Sequence, residues 1–247
     1  MKHLKFLALA VTLVSTQAFA GPKFDRKDTI DGIQVFTHKD DSQRSYRGHV
    51  TKTFDSNLKT IEQNVTNFNE KCNQSFAEKR SFLKKDFSCR FHNANIVESF
   101  IVKDIKPNYT PEKNEIERYI VGRVIYNRKV FQHYEIVKVY EYKNDKGQQV
   151  KKIVTEMIND KEVKKYITPA LKRESAFNAT ISTFTLTALD KNKTQLDYEY
   201  VAETDHWLLN KEISVPQVFS SMSKSINDFL ETVVIEKEKD TTLLSSN

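Results

Sequence analysis

Apolar positions along this chain repeat with two periods. Leu58, Ile61, Val65, Phe68 and Cys72 recur at steps of three and four, which predicts an amphipathic helix with Asp55 or Ser56 as its cap. Val215, Val218, Phe219, Met222, Ile226, Phe229, Leu230 and Val233 keep the same spacing and predict a longer helix with a broad apolar face. Ser214 with Gln217 reads as a capping box, Pro216 falls in the first turn where it is tolerated, and the helix is expected to end near Glu236. The tail 237–247 is polar apart from Leu243 and Leu244 and is expected to fray.

Elsewhere the period is two, with β-branched and aromatic residues dominant. Segments 33–36 and 45–54, joined by the polar stretch 38–44, predict an opening hairpin. Further strands are predicted over 96–102, 116–126, 131–142 and 150–158, the last two joined by the turn Asn144-Asp145-Lys146-Gly147. Strands over 179–189 and 194–202 flank the turn at 190–193. In the second of these, Leu196, Tyr198, Tyr200 and Ala202 alternate with Gln195, Asp197 and Glu199, so one face is buried. Hairpin, helix, long antiparallel sheet and closing helix predict an α+β fold, a curved antiparallel sheet wrapped around a long C-terminal helix with room for a cavity between them.

The first twenty residues stand apart. Lys2 and Lys5, the apolar run from Phe6 to Val14 and the small-x-small triplet Ala18-Phe19-Ala20 read as a secretory signal removed after Ala20. The run is too short to span a bilayer. No cysteine follows the cut, so a soluble periplasmic or secreted protein is expected. What remains, 21–236 with its tail, reads as one domain, since glycine and proline are scarce and no repeat or linker divides it.

The formal charge of +6 includes Lys2 and Lys5, leaving about +4, too thin and scattered for nucleic-acid binding. The lysine pairs at 84–85, 151–152 and 164–165 read as solvated faces compatible with transient contact with a membrane surface. In an oxidising compartment Cys72 and Cys89 are expected to pair as a disulfide. Two cysteines with His92 nearby make no metal site, and no metal or other cofactor is expected.

Asp31-Gly32-Ile33-Gln34-Val35-Phe36-Thr37 followed by Tyr46-Arg47-Gly48-His49-Val50 resembles the opening of bacterial START-like lipid-binding proteins. Lys193-Thr194-Gln195-Leu196-Asp197-Tyr198, then Trp207-Leu208-Leu209-Asn210-Lys211 and the final amphipathic helix, is similar to the end of that family. Two stretches depart from its pattern: 126–133, where members carry a proline-rich stretch and an Arg-Asp pair, and 203–206, where they carry Pro and a Gly-rich turn. The resemblance implies the helix-grip fold of START and Bet v 1-like domains, and an exported monomer that reversibly holds a lipid or fatty-acid-like molecule. A minority of the family are cyclases or dehydratases, so an enzyme on the same fold is one alternative, and a ligand-free protein-interaction domain with a fully packed interior is the other. Since the resemblance is to bacterial proteins, the Asn-x-Ser/Thr tripeptides at Asn64, Asn73, Asn108 and Asn178 are expected to be unmodified.

Candidate ligand contacts are aromatic and apolar residues placed on inward faces. They are Tyr198 and Tyr200 on the last strand, Phe184 and Leu186 on the preceding one, Tyr134 and Ile136 on a middle one, and Phe219, Met222 and Ile226 on the helix. Trp207 either covers the cavity mouth or anchors the entrance to the helix. His133 and Glu135 share a strand face, and with Arg118 they would suit acid–base chemistry if all three converged in the cavity. No nucleophile motif or phosphate-cradling glycine loop is present, and no catalytic residue is assigned.

Overall fold

The computed structural model describes residues 24–68, 70–71, 96–102, 110–127, 129–158 and 176–234. The segment expected to be a secretory signal, the two cysteines expected to pair, Asn73, Asn108, His92 and the tail lie outside the described residues. Among the described residues, ten strands form one antiparallel sheet: β1 Arg26–Ile30, β2 Ile33–Lys39, β3 Arg44–Phe54, β4 Glu70–Lys71, β5 Ile96–Val102, β6 Glu115–Asn127, β7 Lys129–Lys143, β8 Gln149–Met157, β9 Ala179–Asp190 and β10 Lys193–Thr204. Their spatial order is β1-β2-β3-β10-β9-β8-β7-β6-β5-β4, so the last strand lies beside the third and the rest meander outward. Helix α1, Leu58–Thr66, lies over β9 and β10. Helix α2, Val215–Val234, follows a short 3-10 turn, Glu212–Ser214, and packs on β1, β2 and β3. The α+β helix-grip arrangement expected from the sequence is the one observed.

Strand β1 was not expected. Its residues are exposed except for half-buried Ile30, as suits an edge strand with no apolar alternation to betray it. It pairs with β2 through a two-residue turn in which Asp31 and Gly32 both take positive φ, 49° and 81°. This is the backbone a twisted hairpin requires and glycine supplies at little cost. The tip is fastened to α2, since Ser223 Oγ donates to the Ile30 carbonyl at 2.8 Å and Asn227 Nδ2 to that of Asp31 at 3.3 Å.

Both helices differ in detail from expectation. The cap of α1 is Asn57, whose Oδ1 accepts from the Thr60 amide at 2.9 Å, rather than Asp55 or Ser56. The helix stops at Thr66 because the chain turns to seat Phe68 on Tyr119 and then pairs Glu70 with Ser99 in the sheet. Ser214 ends the 3-10 turn and its hydroxyl donates to the Leu208 carbonyl at 2.8 Å, so no Ser214–Gln217 capping box forms. Asn64, in one of the four glycosylation tripeptides, is buried and donates to the Val233 carbonyl at 2.9 Å, tying the end of α2 to α1.

Ile33, Val35, Tyr46, Ile153, Leu186, Leu196, Val215, Phe219 and Val233 are at most 1% exposed and mark the main core between the sheet's inner face and the helices. A second, small cluster, Ile120 and Tyr134 with Phe100, Val102 and Ile158, lies on the other face. No described helix is long and apolar enough to cross a membrane.

Candidate functional site

Antiparallel register carries each inward residue into a row that crosses the sheet. One row runs Val139, Ile153, Phe184, Tyr198, Val50 and is apolar but for a phenol. The next, two residues along each strand, runs Tyr119, Val137, Thr155, Ser182, Tyr200 and Gly48. Beyond it come Val121, Glu135 and Met157, and then Ser99, Arg123 and His133. The inner face thus grades from hydrocarbon through hydroxyls to charge over three row steps, roughly 20 Å at about 3.4 Å per residue.

The charged end is a compact cluster. Arg123 Nε donates to Glu135 Oε2 at 2.8 Å, and His133 Nε2 lies 2.8 Å from Glu135 Oε1. The Arg123 guanidinium also sits over the Phe68 ring, 5.0 Å from its centroid. Burial opposes the charge on Glu135, but Arg123 and then His133 outweigh it and hold the carboxyl down at about 2. Glu135 is therefore an ionised acceptor at neutral pH, too weak a base and too strong an acid to hold a proton for catalysis.

The apolar end is aromatic. Phe184 and Tyr198 stack with centroids 4.7 Å apart, and Phe229 of α2 leans on both at 5.3 and 5.2 Å. Burial pushes the Tyr198 phenol up to about 12, against a hydrogen bond with Ser182. The Tyr200 phenol is also raised, first by burial and then by Tyr198 and Glu135. Both remain neutral hydroxyls. Glu135 on β7 and Tyr200 on β10 stand on the same inner face of the sheet, three strands apart.

Of the residues chosen from sequence, Phe184, Tyr198 and Tyr200 stand on this wall, and Leu186 is fully buried opposite Leu196. Phe219, Met222 and Ile226 do face the sheet, but over β2 and β3, where Phe219 meets Tyr46 edge-on at 6.3 Å and the other two press on Gly48. Tyr134 and Ile136 require correction. Their register neighbours Gly122, Ile120 and Glu156 belong to the other face, where Tyr134 packs with Ile120 in the small cluster. Both faces of β7 carry apolar residues, so alternation alone gave no sign of which was inner.

Arg118 is also displaced from its expected place. It donates to Glu115 through Nε at 2.6 Å, beside Glu112, which accepts from Lys138 and Tyr140 away from the cluster. Arg123 takes its place beside Glu135. The register of β6 and β7, which a single residue separates in the chain, would have revealed this, because it brings Arg123 opposite His133. Trp207 is 68% exposed on the turn between β10 and α2, with Lys211 Nζ 5.1 Å from its ring centroid. Ser182, Thr155, Ser99 and Phe229 were not singled out from sequence. An open groove of about 520 Å³ at the opposite end of the sheet, lined by Asn57, Leu58, Glu62, Glu141, Lys151 and Lys191 among others, holds charges of both signs and none of the chosen residues. Among the described residues no group of His, Cys, Asp or Glu is placed to hold a metal.

No protein-family model matches the chain, and no curated protein sequence does. Several solved structures are similar to it. A STAR-related lipid transfer protein (fragment 25–204) from Xanthomonas axonopodis aligns at 13% identity and TM-score 0.45, over 83% of this chain and 96% of that one. Human StAR-related lipid transfer protein 5 aligns at 13% identity and TM-score 0.46, over 88% of each chain. Norcoclaurine synthase from Thalictrum flavum, in complex with dopamine and hydroxybenzaldehyde, aligns at 12% identity and TM-score 0.37, over 79% of this chain and 89% of that one.

Proposed function

We propose that this protein reversibly holds one amphiphilic molecule, a lipid or fatty-acid-like compound, between the inner face of the sheet and α2, without chemistry. The observation that carries this is the polarity gradient of that face. The stacked Phe184–Tyr198 pair and its aliphatic row suit a hydrocarbon chain, the hydroxyls of Ser182 and Tyr200 come next, and Arg123, Glu135 and His133 suit a polar end. The cluster's ion pairs are already satisfied, as suits orienting a ligand rather than reacting with it. Glu135, held ionised, argues against acid–base catalysis of the cyclase or dehydratase kind.

Native mass spectrometry of the protein purified from its host, followed by denaturing extraction of any apolar mass, tests this. A stoichiometric lipid is expected. A bare polypeptide that also fails to take up fluorescent fatty acids would overturn the proposal in favour of an interior packed for protein binding. Export with cleavage after Ala20 and a Cys72–Cys89 disulfide belong to the same proposal. N-terminal sequencing of the native protein and thiol labelling before and after reduction test them.

A further inference from the structure

The turn between β10 and α2 carries a cluster that the ligand site does not use. Six large apolar side chains are conspicuously exposed among the described residues, and three of them fall within seven positions: Trp207 at 68%, Leu208 at 42% and Ile213 at 83%. Singly exposed apolar residues are ordinary, but a cluster is not.

The exposure is built in. Tyr46 Oη donates to the Leu209 carbonyl at 2.6 Å, Ser214 Oγ to that of Leu208 at 2.8 Å, and Arg44 Nε to that of Asn210 at 3.3 Å. Asn210 Nδ2 reaches the Ser42 carbonyl at 2.9 Å, and the buried Arg44 holds Glu212 at 2.8 Å. Main-chain bonds from Asn210 to His206, Lys211 to Leu208 and Ser214 to Lys211 close the turn on itself. With these main-chain groups bonded inward, the turn presents its apolar side chains outward on a fixed support.

We infer that Trp207, Leu208 and Ile213 form a wedge that seats this protein on a phospholipid bilayer by entering the headgroup region. Three side chains are too few for a stable protein–protein interface, which buries roughly 1,200–2,000 Å², but enough for shallow, reversible insertion. Lys211, its amine over the Trp207 ring, gives the wedge the tryptophan and lysine edge that a membrane interface favours. Charge does not drive the contact. Glu212 is occupied by Arg26 and Arg44, and along the chain Lys39 is followed by exposed Asp40 and Asp41 while Asp205 precedes Lys211, so neither sign dominates there.

The wedge also lies at a meaningful end of the sheet. Strand β10 runs out there, as does β8 at Met157, while β7 and β9 begin there. The charged cluster sits near that end, so a bilayer touching the wedge faces the polar end of the hollow. This last point rests on the proposed carrier function; the wedge itself does not.

Trp207 is the only tryptophan in the chain, so intrinsic fluorescence reports on it alone. With phosphatidylcholine vesicles its emission should move to the blue and be quenched by acyl chains brominated near the headgroup. The result should be the same when phosphatidylglycerol is added to the vesicles and should survive high salt. Replacing Leu208 and Ile213 together by Ser should weaken partitioning at least about tenfold, with thermal stability and vesicle-free fatty-acid binding unchanged. Unshifted emission at saturating lipid would overturn the inference. So would a shift confined to anionic vesicles and abolished by salt, or one produced by raising the protein concentration alone, which would indicate a second copy. Fatty-acid binding without vesicles tests the carrier proposal separately, so the two can fail independently.

Discussion

Gly48 and Ile226 meet so closely that a β-carbon on the strand residue would stand 2.5 Å from Ile226 Cδ1 and 2.9 Å from Met222 Sδ. Helix α2 rests on the sheet because β3 has no side chain there. Gly48→Ala should cost about 1–3 kcal/mol through forced repacking, read as a lower urea midpoint with unchanged slope. Gly32→Ala, where nothing lies within 4 Å but φ is +81°, should cost about 1 kcal/mol for a different reason, backbone strain.

Glu135 links stability to pH. Its carboxyl titrates near 2 in the folded protein and near its ordinary value of 4.5 once unfolded. The unfolded chain therefore takes up the proton first as pH falls. The stabilisation is complete above about pH 5 and is lost between there and pH 2, by up to a few kcal/mol. Chemical denaturation across that interval should show a steep slope in the wild type and a shallower one in Glu135→Gln. At neutral pH the same variant should be destabilised by about 1–3 kcal/mol, since half-buried Arg123 is left with a weaker partner. Replacing both Arg123 and Glu135 by Met should recover much of that loss while weakening binding of carboxylate-bearing ligands.

Phe229→Ala withdraws the ring that leans on Phe184 and Tyr198. A loss of about 2–4 kcal/mol is expected, the site being half-buried. If the stacked pair lines the hydrocarbon end of the hollow, the variant should also accept bulkier apolar probes than the wild type in a displacement assay.

Tyr46→Phe deletes the hydroxyl that binds the Leu209 carbonyl and leaves that acceptor in surroundings that push the phenol itself up to about 12. A cost of about 1–2 kcal/mol is expected. Because the bond braces the turn, Trp207 fluorescence anisotropy should fall in the variant even where the sheet remains folded.

The fold was largely legible because most of its strands have one wet and one dry face. In β10, buried Leu196 and Tyr198 flank half-exposed Asp197, and the strand's limits could be read within two residues. Legibility failed where that contrast is missing. Strand β1 is exposed on both faces, and β7 has apolar residues on both, which is why Tyr134 was placed inside and Arg123 was passed over for Arg118. The α1 stripe continued in sequence to Phe68 and Cys72, but the sheet claimed Glu70 and Lys71 by pairing them with Ser99 and Glu98, far along the chain, which no local period encodes. Likewise, nothing in Trp207-Leu208-Leu209 distinguishes a residue covering a cavity from one held away from it. That depends on Arg44 and Tyr46, more than 160 positions earlier.

The bonds from Ser223 and Asn227 to the β1–β2 tip span 193 and 196 positions. A growing chain therefore completes its first hairpin long before the segment that clasps it exists. Until α2 is synthesised, Tyr46, Gly48 and Val35 line an uncovered trough, and a chain ending before Val215 would leave the trough to self-association. Such high contact order makes closure a late and slow event, so the last quarter-hundred residues before the tail act as the latch of a box whose opposite wall is the first part of the domain to be made.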